Sequence, residues 1–172
     1  MSSSQQSGIN RILFGQSAVH RVASEFMLRG YNVYFPSVDI GADIILDNGI
    51  RVQVKATRLV IRASRTTGSY IFQLHGYRLN SSTEGKRWRK KSRHFSRKCD
   101  FVVLYGQTEQ KFWIVPAMFL DGKSHVMLSI EDHGNRCPSL TKTIKSFENR
   151  WDVIESFSFP EYKEDEVKVV VE

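Results

Sequence analysis

The sequence predicts an α/β domain in which helices flank a central mixed β-sheet. Its 172 residues suit one domain with a sizeable core. One long segment has helical periodicity, and several short apolar segments bounded by turn residues follow it. We therefore expect a single domain over residues 11–158, between a flexible arm at residues 1–10 and an acidic tail at residues 159–172.

The predicted first helix covers residues 12–29. Apolar residues recur there mostly at intervals of three and four, and Gly30 stands where a left-handed cap ends a helix. The apolar positions are Leu13, Phe14, Ala18, Val22, Phe26 and Met27. A second helix is predicted over residues 143–155 from the spacing of Ile144, Phe147, Trp151 and Ile154.

Short segments rich in β-branched and aromatic residues predict the strands of the sheet. They cover residues 31–35, 42–46, 50–56, 70–75, 100–105, 111–115 and 126–130.

Several function classes are disfavoured by composition. No apolar segment approaches the roughly 20 residues of a membrane span, and the N-terminus lacks the apolar core of a signal peptide. Cys99 and Cys137 stand far apart without a CxxC pair, so neither a zinc site nor a disulfide framework is indicated. We expect a cytoplasmic protein with reduced thiols and no membrane association.

Charge is strongly polarised along the chain. Residues 51–98 carry 14 Lys or Arg and one acid, Glu84, whereas the whole chain has a net charge of +7. The remaining residues are therefore net acidic. A positive field confined to one part of a domain is typical of a nucleic-acid-binding protein.

The turn at Asp47-Asn48-Gly49 determines which residues of the predicted hairpin face each other. A three-residue loop with its glycine in the left-handed region opposes Asp43 to Gln53. A two-residue Asn-Gly turn would instead oppose Asp43 to Val54 and put an aspartate on the core side. We favour the three-residue loop, which leaves Asp43, Gln53 and Lys55 on one polar face. The opposite face is then apolar and consists of Ile44, Leu46, Ile50, Val52 and Val54.

This polar face suits a hard divalent cation. Directly opposed side chains lie about 5 Å apart at Cβ, and Mg²⁺ accepts few protein ligands while keeping several waters. The Asp43 carboxylate, the Gln53 side-chain oxygen and the Val54 carbonyl are the candidate ligands for Mg²⁺, with Mn²⁺ as the alternative ion. Lys55 can stabilise phosphoryl charge or orient the attacking water. The alternative interpretation is a solvated cross-strand pair of Asp43 and Lys55.

These residues carry a resemblance to a known family. Gly-Tyr-Asn-Val at 30–33, Phe-Pro at 35–36, Asp-Ile-Gly-Ala-Asp-Ile-Ile at 39–45 and Gln-Val-Lys at 53–55 resemble the PD-(D/E)XK nuclease core. The sequence is similar to archaeal Holliday-junction resolvases and to intron-encoded homing endonucleases that carry Gln in place of the first acid. Residues 99–117 resemble the later core strands more loosely. The resemblance implies a restriction-endonuclease-like core and metal-dependent hydrolysis of DNA.

The first helix departs from the pattern that this resemblance implies. Such nucleases often place a metal-supporting Glu there, at a position that corresponds to Val19 in this chain. Glu25 is the candidate to replace it and is predicted to be catalytic, with His20 and Gln16 as alternatives. A solvated Glu25 and a structural His20 are the competing interpretations.

A basic segment follows the predicted catalytic strands at residues 86–98. It has eight Lys or Arg among 13 residues, with Trp88 and Phe95 between them. Such cations bind backbone phosphates by releasing counterions, and aromatic side chains can stack on bases. The alternatives are a solvated loop and a targeting signal. The predicted DNA-binding residues are Lys86, Arg87, Arg89, Lys90, Lys91, Arg93, Arg97 and Lys98.

These observations predict a Mg²⁺-dependent endonuclease acting on double-stranded or branched DNA. Site-specific double-strand cleavage of the homing or restriction type is the first choice. Holliday-junction resolution is the alternative within nucleases, and a non-catalytic DNA-binding module on the same fold is the alternative from another class. We expect a homodimer or a higher homo-oligomer, because two identical sites cut two strands most simply.

Overall fold

The computed structural model describes residues 3–61, 68–74, 76–80, 87–91, 94–130 and 139–157. The helices in these ranges are α1 (Ser3–Leu28), α2 (Ser139–Lys145) and α3 (Asp152–Glu155). The strands are β1 (Val33–Tyr34), β2 (Ile44–Leu46), β3 (Arg51–Thr57), β4 (Leu59–Ile61), β5 (Gly68–Gln73), β6 (Gly76–Asn80), β7 (Arg87–Lys91), β8 (Phe101–Gly106), β9 (Lys111–Pro116) and β10 (His125–Ser129).

A five-stranded sheet with the order β1-β2-β3-β8-β9 forms the centre of the fold. Strands β3 and β8 pair in parallel, while the other neighbours are antiparallel, so the sheet is mixed as predicted. The connection between β3 and β8 contributes β4 and β5 to an antiparallel sheet with the order β10-β5-β4. The same connection also contains a separate two-stranded ribbon of β6 and β7.

Two apolar layers hold these elements together. The α1 layer lies between α1 and the central sheet, where Val22 and Phe26 pack on Val52, Val103 and other strand residues. The inter-sheet layer lies on the opposite face and contains Tyr70, Phe72, Val102, Leu104 and Trp113. Successive strand residues point to opposite faces, so the central strands are apolar on both sides.

Helix α1 confirms the predicted amphipathic helix, and Gly30 follows it with a φ of 88°. It begins at Ser3, within the residues that we expected to form a flexible arm. Leu13 is 61% exposed and Met27 is 53% exposed, so these two apolar positions do not enter the core. The helix is therefore longer than the part of it that packs on the sheet.

The second predicted helix is wrong as a continuous element. Residues 146–151 interrupt it, and Asn149 adopts a φ of 54° and donates its backbone N–H to the Phe112 carbonyl at 2.8 Å. Ile144 is buried in the inter-sheet layer, whereas Trp151 and Ile154 are buried in the α1 layer. The chain crosses the edge of β9 between these points, and a straight helix could not reach both layers.

The seven predicted strands are all present, with bounds that agree to within two residues. Strands β4, β6 and β7 were not predicted. The predicted tail at residues 159–172 lies outside the described residues. Within the described part of the chain, no helix combines the length and apolar character required to cross a bilayer.

Candidate active site

The hairpin of β2 and β3 has the predicted three-residue turn. Ile44 pairs with Val52 and Ile45 pairs with Arg51. Gly49 has a φ of 85°, a backbone conformation that costs glycine little and other residues considerably more. The regular pairing ends at Ile44 and Val52, and Asp43, the residue before β2, lies beside Val52, Gln53 and Val54 of β3.

Asp43 is tied to β3 by two hydrogen bonds. Its backbone N–H donates to the Val52 carbonyl at 2.9 Å, and its Oδ2 accepts the Val54 N–H at 2.7 Å. Because the N–H and C=O of one strand residue point to the same neighbour, the Val54 carbonyl also lies on the side of Asp43. The carboxylate and the carbonyl predicted to bind a cation are therefore brought together.

Gln53 and Lys55 lie on the same face as Asp43. They alternate along β3 with Val52 and Val54, which belong to the α1 layer, so their side chains point away from α1. Gln53 is only 8% exposed, which is unusual for a polar side chain, and Lys55 is half-buried. The structure thus assembles the three predicted side chains on the inter-sheet side of β3.

The residues present fit a hard cation with few protein ligands. Hydrogen bonding to Val54 occupies Oδ2 of Asp43 and leaves Oδ1 for an ion, while Gln53 and Val54 offer neutral oxygens. Among the described residues, no group of three His, Cys, Asp or Glu is placed to hold a metal. A cation bound here would have one carboxylate ligand from the protein. Further negative charge would have to come from the substrate.

Cys99 lies beside this site and is fully buried. Burial raises the pKa of its thiol to about 12, the charge of Asp100 raises it as well, and that of Asp43 adds a smaller increase. The charges of Arg51 and Lys55 act in the opposite direction on the same pKa. The thiol is therefore protonated at neutral pH and is not a nucleophile. Its pKa nevertheless shows that Asp43, Arg51, Lys55 and Asp100 all lie near Cys99.

An ion pair of Arg51 and Asp100 adjoins the site and was not predicted. Oδ2 of Asp100 accepts the Arg51 backbone N–H at 2.8 Å and its Nε–H at 3.3 Å, and Oδ1 lies 3.1 Å from Nη2. The Asp100 side chain is 12% exposed. This pair joins the starts of β3 and β8 two residues before Gln53. Sequence alone gave no signal, because the two residues are far apart in the chain.

Glu25 lies apart from the other predicted site residues. Its carboxylate is 2.6 Å from Nη1 of both Arg21 and Arg29, and the Arg29 guanidinium lies over the Trp151 ring at 4.3 Å. Because it belongs to α1, it lies across the sheet from Gln53 and Lys55. The structure therefore pairs it with Arg21 of the same helix and with Arg29 just after the helix, and does not bring it to Asp43.

The other first-helix candidates also have ordinary environments. Val19 is partly buried against the α1 layer. The ring of His20 packs on Phe35 with centroids 5.2 Å apart, and both side chains are exposed. Gln16 is exposed. No acidic side chain of α1 takes the position at which the resemblance implies a Glu.

The basic segment includes β7 of the ribbon, and the ribbon is flanked by two buried residues. Leu74 precedes β6 and Phe95 follows β7, and both are buried in the inter-sheet layer. Arg87, Arg89, Lys90 and Lys91 belong to β7, Arg97 ends a short 3₁₀ turn, and Lys98 follows it. Lys86 and Arg93 lie outside the described residues. The ribbon thus joins the domain beside Cys99, next to the candidate site.

Comparisons with known proteins identify the family of the chain and a structure of similar fold. The sequence profile of the PD-(D/E)XK endonucleases matches residues 9–150. Among solved structures, a bacterial homing endonuclease, I-Ssp6803I, is similar, with a TM-score of 0.63 and 21% sequence identity over 83% of this chain and 90% of that chain. This likeness supports the predicted α/β fold with a restriction-endonuclease-like core. A comparison with curated proteins finds no match.

Proposed function

The chain belongs to the PD-(D/E)XK endonuclease family, and from this premise we propose that it hydrolyses DNA phosphodiester bonds with the help of Mg²⁺ or Mn²⁺. The observation that carries the proposal is the joint placement of Asp43, the Val54 carbonyl and the Gln53 side chain on one side of β3. The Val54 N–H donates to Oδ2 of Asp43 at 2.7 Å, which holds this carboxylate against β3, and we assign its Oδ1 to the cation.

The ligands we assign to the cation are the Asp43 carboxylate, the Gln53 amide oxygen and the Val54 carbonyl. When bound, the ion would activate water and offset charge on the phosphoryl oxygens. Gln53 is almost fully buried, so the packing of neighbouring residues restricts the movement of its side chain. Rigid ligands of this kind favour catalysis because they require little reorganisation during the reaction.

We assign Lys55 the role of stabilising the phosphoryl group. It lies two residues beyond Gln53 on the same face of β3, and it is half-buried. An ammonium group that is partly removed from water interacts more strongly with a developing negative charge. Its loss should therefore lower the rate of cleavage more than it lowers DNA affinity.

We assign the basic segment to the DNA backbone. Strand β7 places four cations on a ribbon whose two ends are anchored by buried Leu74 and Phe95 beside the site. Phosphate contacts position a duplex without reading its sequence, so this segment would supply affinity and orientation.

Site-specific double-strand cleavage is our first choice of nuclease type. The likeness in fold to a bacterial homing endonuclease supports this choice over Holliday-junction resolution, which the same catalytic residues would also permit. A non-catalytic DNA-binding module is the second candidate function. Val19 at the position of the expected Glu favours it, because the site then holds one carboxylate.

A homodimer would supply the two sites that such cleavage requires. Ile9, Ile12 and Leu13 occupy one stripe of α1 and are 37%, 65% and 61% exposed. An isologous contact between two such stripes would bury them in both copies at once. We therefore assign this stripe to the dimer interface.

The central test compares the wild type with Asp43→Ala on supercoiled plasmid and on a four-way junction, each with Mg²⁺ or EDTA. The variant should lose cleavage and retain DNA affinity, because it removes a metal ligand and no phosphate contact. Asp152→Ala, which removes an exposed carboxylate of α3, is the matched control. Near-normal Mg²⁺-dependent cleavage by Asp43→Ala would overturn the assignment, and a wild type that binds without cleaving would establish the DNA-binding module.

A further inference from the structure

The side chain of Lys98 lies across Gly41, two residues before Asp43. A Cβ built on Gly41 would lie 2.9 Å from Cβ of Lys98, closer than real Cβ contacts, and 3.1 Å from its Cγ, tighter than most of them. Gly41 has a φ of 86°, and its N–H donates to Oδ1 of Asp39 at 3.0 Å. The absence of a side chain at residue 41 is therefore what permits the lysine stem to rest on this loop.

The backbone of Lys98 is fixed on both sides. Its N–H donates to the Phe95 carbonyl at 2.8 Å, and Phe95 is buried in the inter-sheet layer. Ser96 donates its backbone N–H to Oδ1 of Asp121 at 3.1 Å and its hydroxyl to Oδ2. Cys99, the next residue, is fully buried. Lys98 thus differs from an ordinary surface lysine, because both its backbone and its stem are held.

The position of this cation matches a phosphate next to the scissile one. The α carbons of residues 41 and 43 are separated by at most about 7 Å of extended chain. Because Cδ of Lys98 lies against Gly41 and the ammonium is two bonds farther, the cation can reach a phosphate that neighbours one bound at Asp43.

We propose that Lys98 binds the phosphate that flanks the scissile phosphate on the same strand, and so orients the DNA on the Asp43 site. This inference rests on the proposed function and deepens it, because it separates one lysine from the other cations of the basic segment. Those cations supply affinity spread along the duplex. Lys98 instead contacts a single phosphate. The contact of its side chain with Gly41 determines how far the ammonium lies from the bond that is cleaved.

The test measures single-turnover cleavage at saturating protein and the dependence of DNA affinity on salt for Lys98→Ala, Lys98→Arg and Lys142→Ala. Lys142 is an exposed lysine of α2 and serves as the control. Lys98→Ala should slow cleavage about tenfold, less than the loss of a donor to the reacting group itself. It should also flatten the plot of log K against log salt by about 0.9. Lys98→Arg should keep the salt slope and most of the rate.

A second measurement identifies which DNA phosphate Lys98 contacts. Duplexes in which each phosphate near the cut is replaced singly by a neutral methylphosphonate are cleaved by the wild type and by Lys98→Ala. At one flanking position the wild type should slow to the rate of the variant, while the variant is unaffected, because the two changes remove the same contact. Equal slowing of both proteins at every position would overturn the proposal.

The two proposals fail in different ways. If Asp43→Ala is inactive and Lys98→Ala behaves like Lys142→Ala in both rate and salt slope, only the role of Lys98 is refuted. If Asp43→Ala still cleaves, the metal-site assignment is refuted, whereas the phosphate contact of Lys98 is still decided by the salt slope.

Discussion

At Gln53 the chain places a neutral amide where a second carboxylate would give a cation more charge. The side chain is 8% exposed and lies beside Asp43 on the inter-sheet face. A carboxylate at this depth would be costly without a cation, because burial disfavours the charged form. A neutral amide avoids this cost when no cation is bound, and under the proposed function the DNA phosphate would supply part of the charge that balances the cation.

Exchange of this amide tests the assignment. We expect Gln53→Glu to retain cleavage and to lower the Mg²⁺ concentration that gives half-maximal rate, because it adds charge at an unchanged position. Gln53→Leu should abolish cleavage, since it removes the oxygen and keeps the size. Titration of the cleavage rate with Mg²⁺ measures both. Full activity of Gln53→Leu would show that residue 53 is not a ligand.

The positions that could be predicted from the sequence are those that follow from local rules of chain geometry. The turn at residues 47–49 fixed the hairpin register, which pairs Ile44 with Val52 and brings Asp43 next to the strand that carries Gln53. Two contacts were not predicted. The parallel pairing of β3 with β8 brings Arg51 to Asp100, and the return of the chain from the ribbon brings Lys98 to Gly41. Contacts of that range depend on topology and leave no periodic signal.

Among the elements, α1 packs on the face of the central sheet opposite Gln53 and Lys55, and it carries Glu25 there. Burial raises the pKa of Glu25, but hydrogen bonds from Arg29 and Arg21 outweigh it, so the pKa is lowered overall. Arg29 in turn lies over Trp151, which joins α1 to the segment before α3. The carboxylate thus organises two arginines against the aromatic end of the α1 layer.

We therefore expect Glu25→Gln to leave cleavage unchanged and to lower stability slightly. Each such i,i+4 ion pair is worth about 0.3–0.5 kcal/mol. Because the folded pKa is lowered, this contribution is present above the unfolded value and is lost as pH falls through the folded pKa. Urea unfolding of variant and wild type should differ near pH 7 and converge in acid. A sharp loss of turnover would instead make Glu25 part of the metal site.

The broken C-terminal helix and the ribbon show where pattern-based prediction of elements fails. Ile144 and Trp151 have helical spacing, but they are buried on opposite sides of the central sheet, and the chain between them pairs with β9 through Glu148 and Trp113. The spacing of apolar residues indicates that they are buried. It does not indicate which of the two apolar layers they enter. Likewise, β7 is rich in Lys and Arg, and only its pairing with β6 makes it a strand.

For the whole molecule, the exposed stripe on α1 predicts the oligomeric state. Ile12→Asp combined with Leu13→Asp should give a monomer, because each places a charge in the proposed isologous contact. Sedimentation velocity measures the mass, with Met118→Asp combined with Met127→Asp as the control at exposed apolar positions elsewhere. The monomer should nick plasmid more than it linearises it. A variant that keeps the mass of the wild type would place the interface elsewhere.

The distribution of charge over the molecule predicts how DNA affinity depends on salt. Residues 51–98 hold 14 of the 25 Lys and Arg, but the structure engages some of them internally. Arg51 is bound by Asp100, and Arg58 donates to Gln107 while lying over the Phe14 ring at 4.9 Å. The cations of the basic segment should therefore contribute most to counterion release.

Replacing Lys90, Lys91 and Arg93 together with Ala should weaken binding to all DNA sequences alike. Each phosphate contact contributes about −0.9 to the slope of log K against log salt, so the slope should flatten by up to about 3. Any residual cleavage should still require Mg²⁺. Replacing Lys123, Lys142 and Arg150 removes equal charge outside the segment and should leave the slope unchanged. An unchanged slope in the first variant would move the DNA-binding surface to Arg62 and Arg65, since Arg51 and Arg58 are already engaged within the fold.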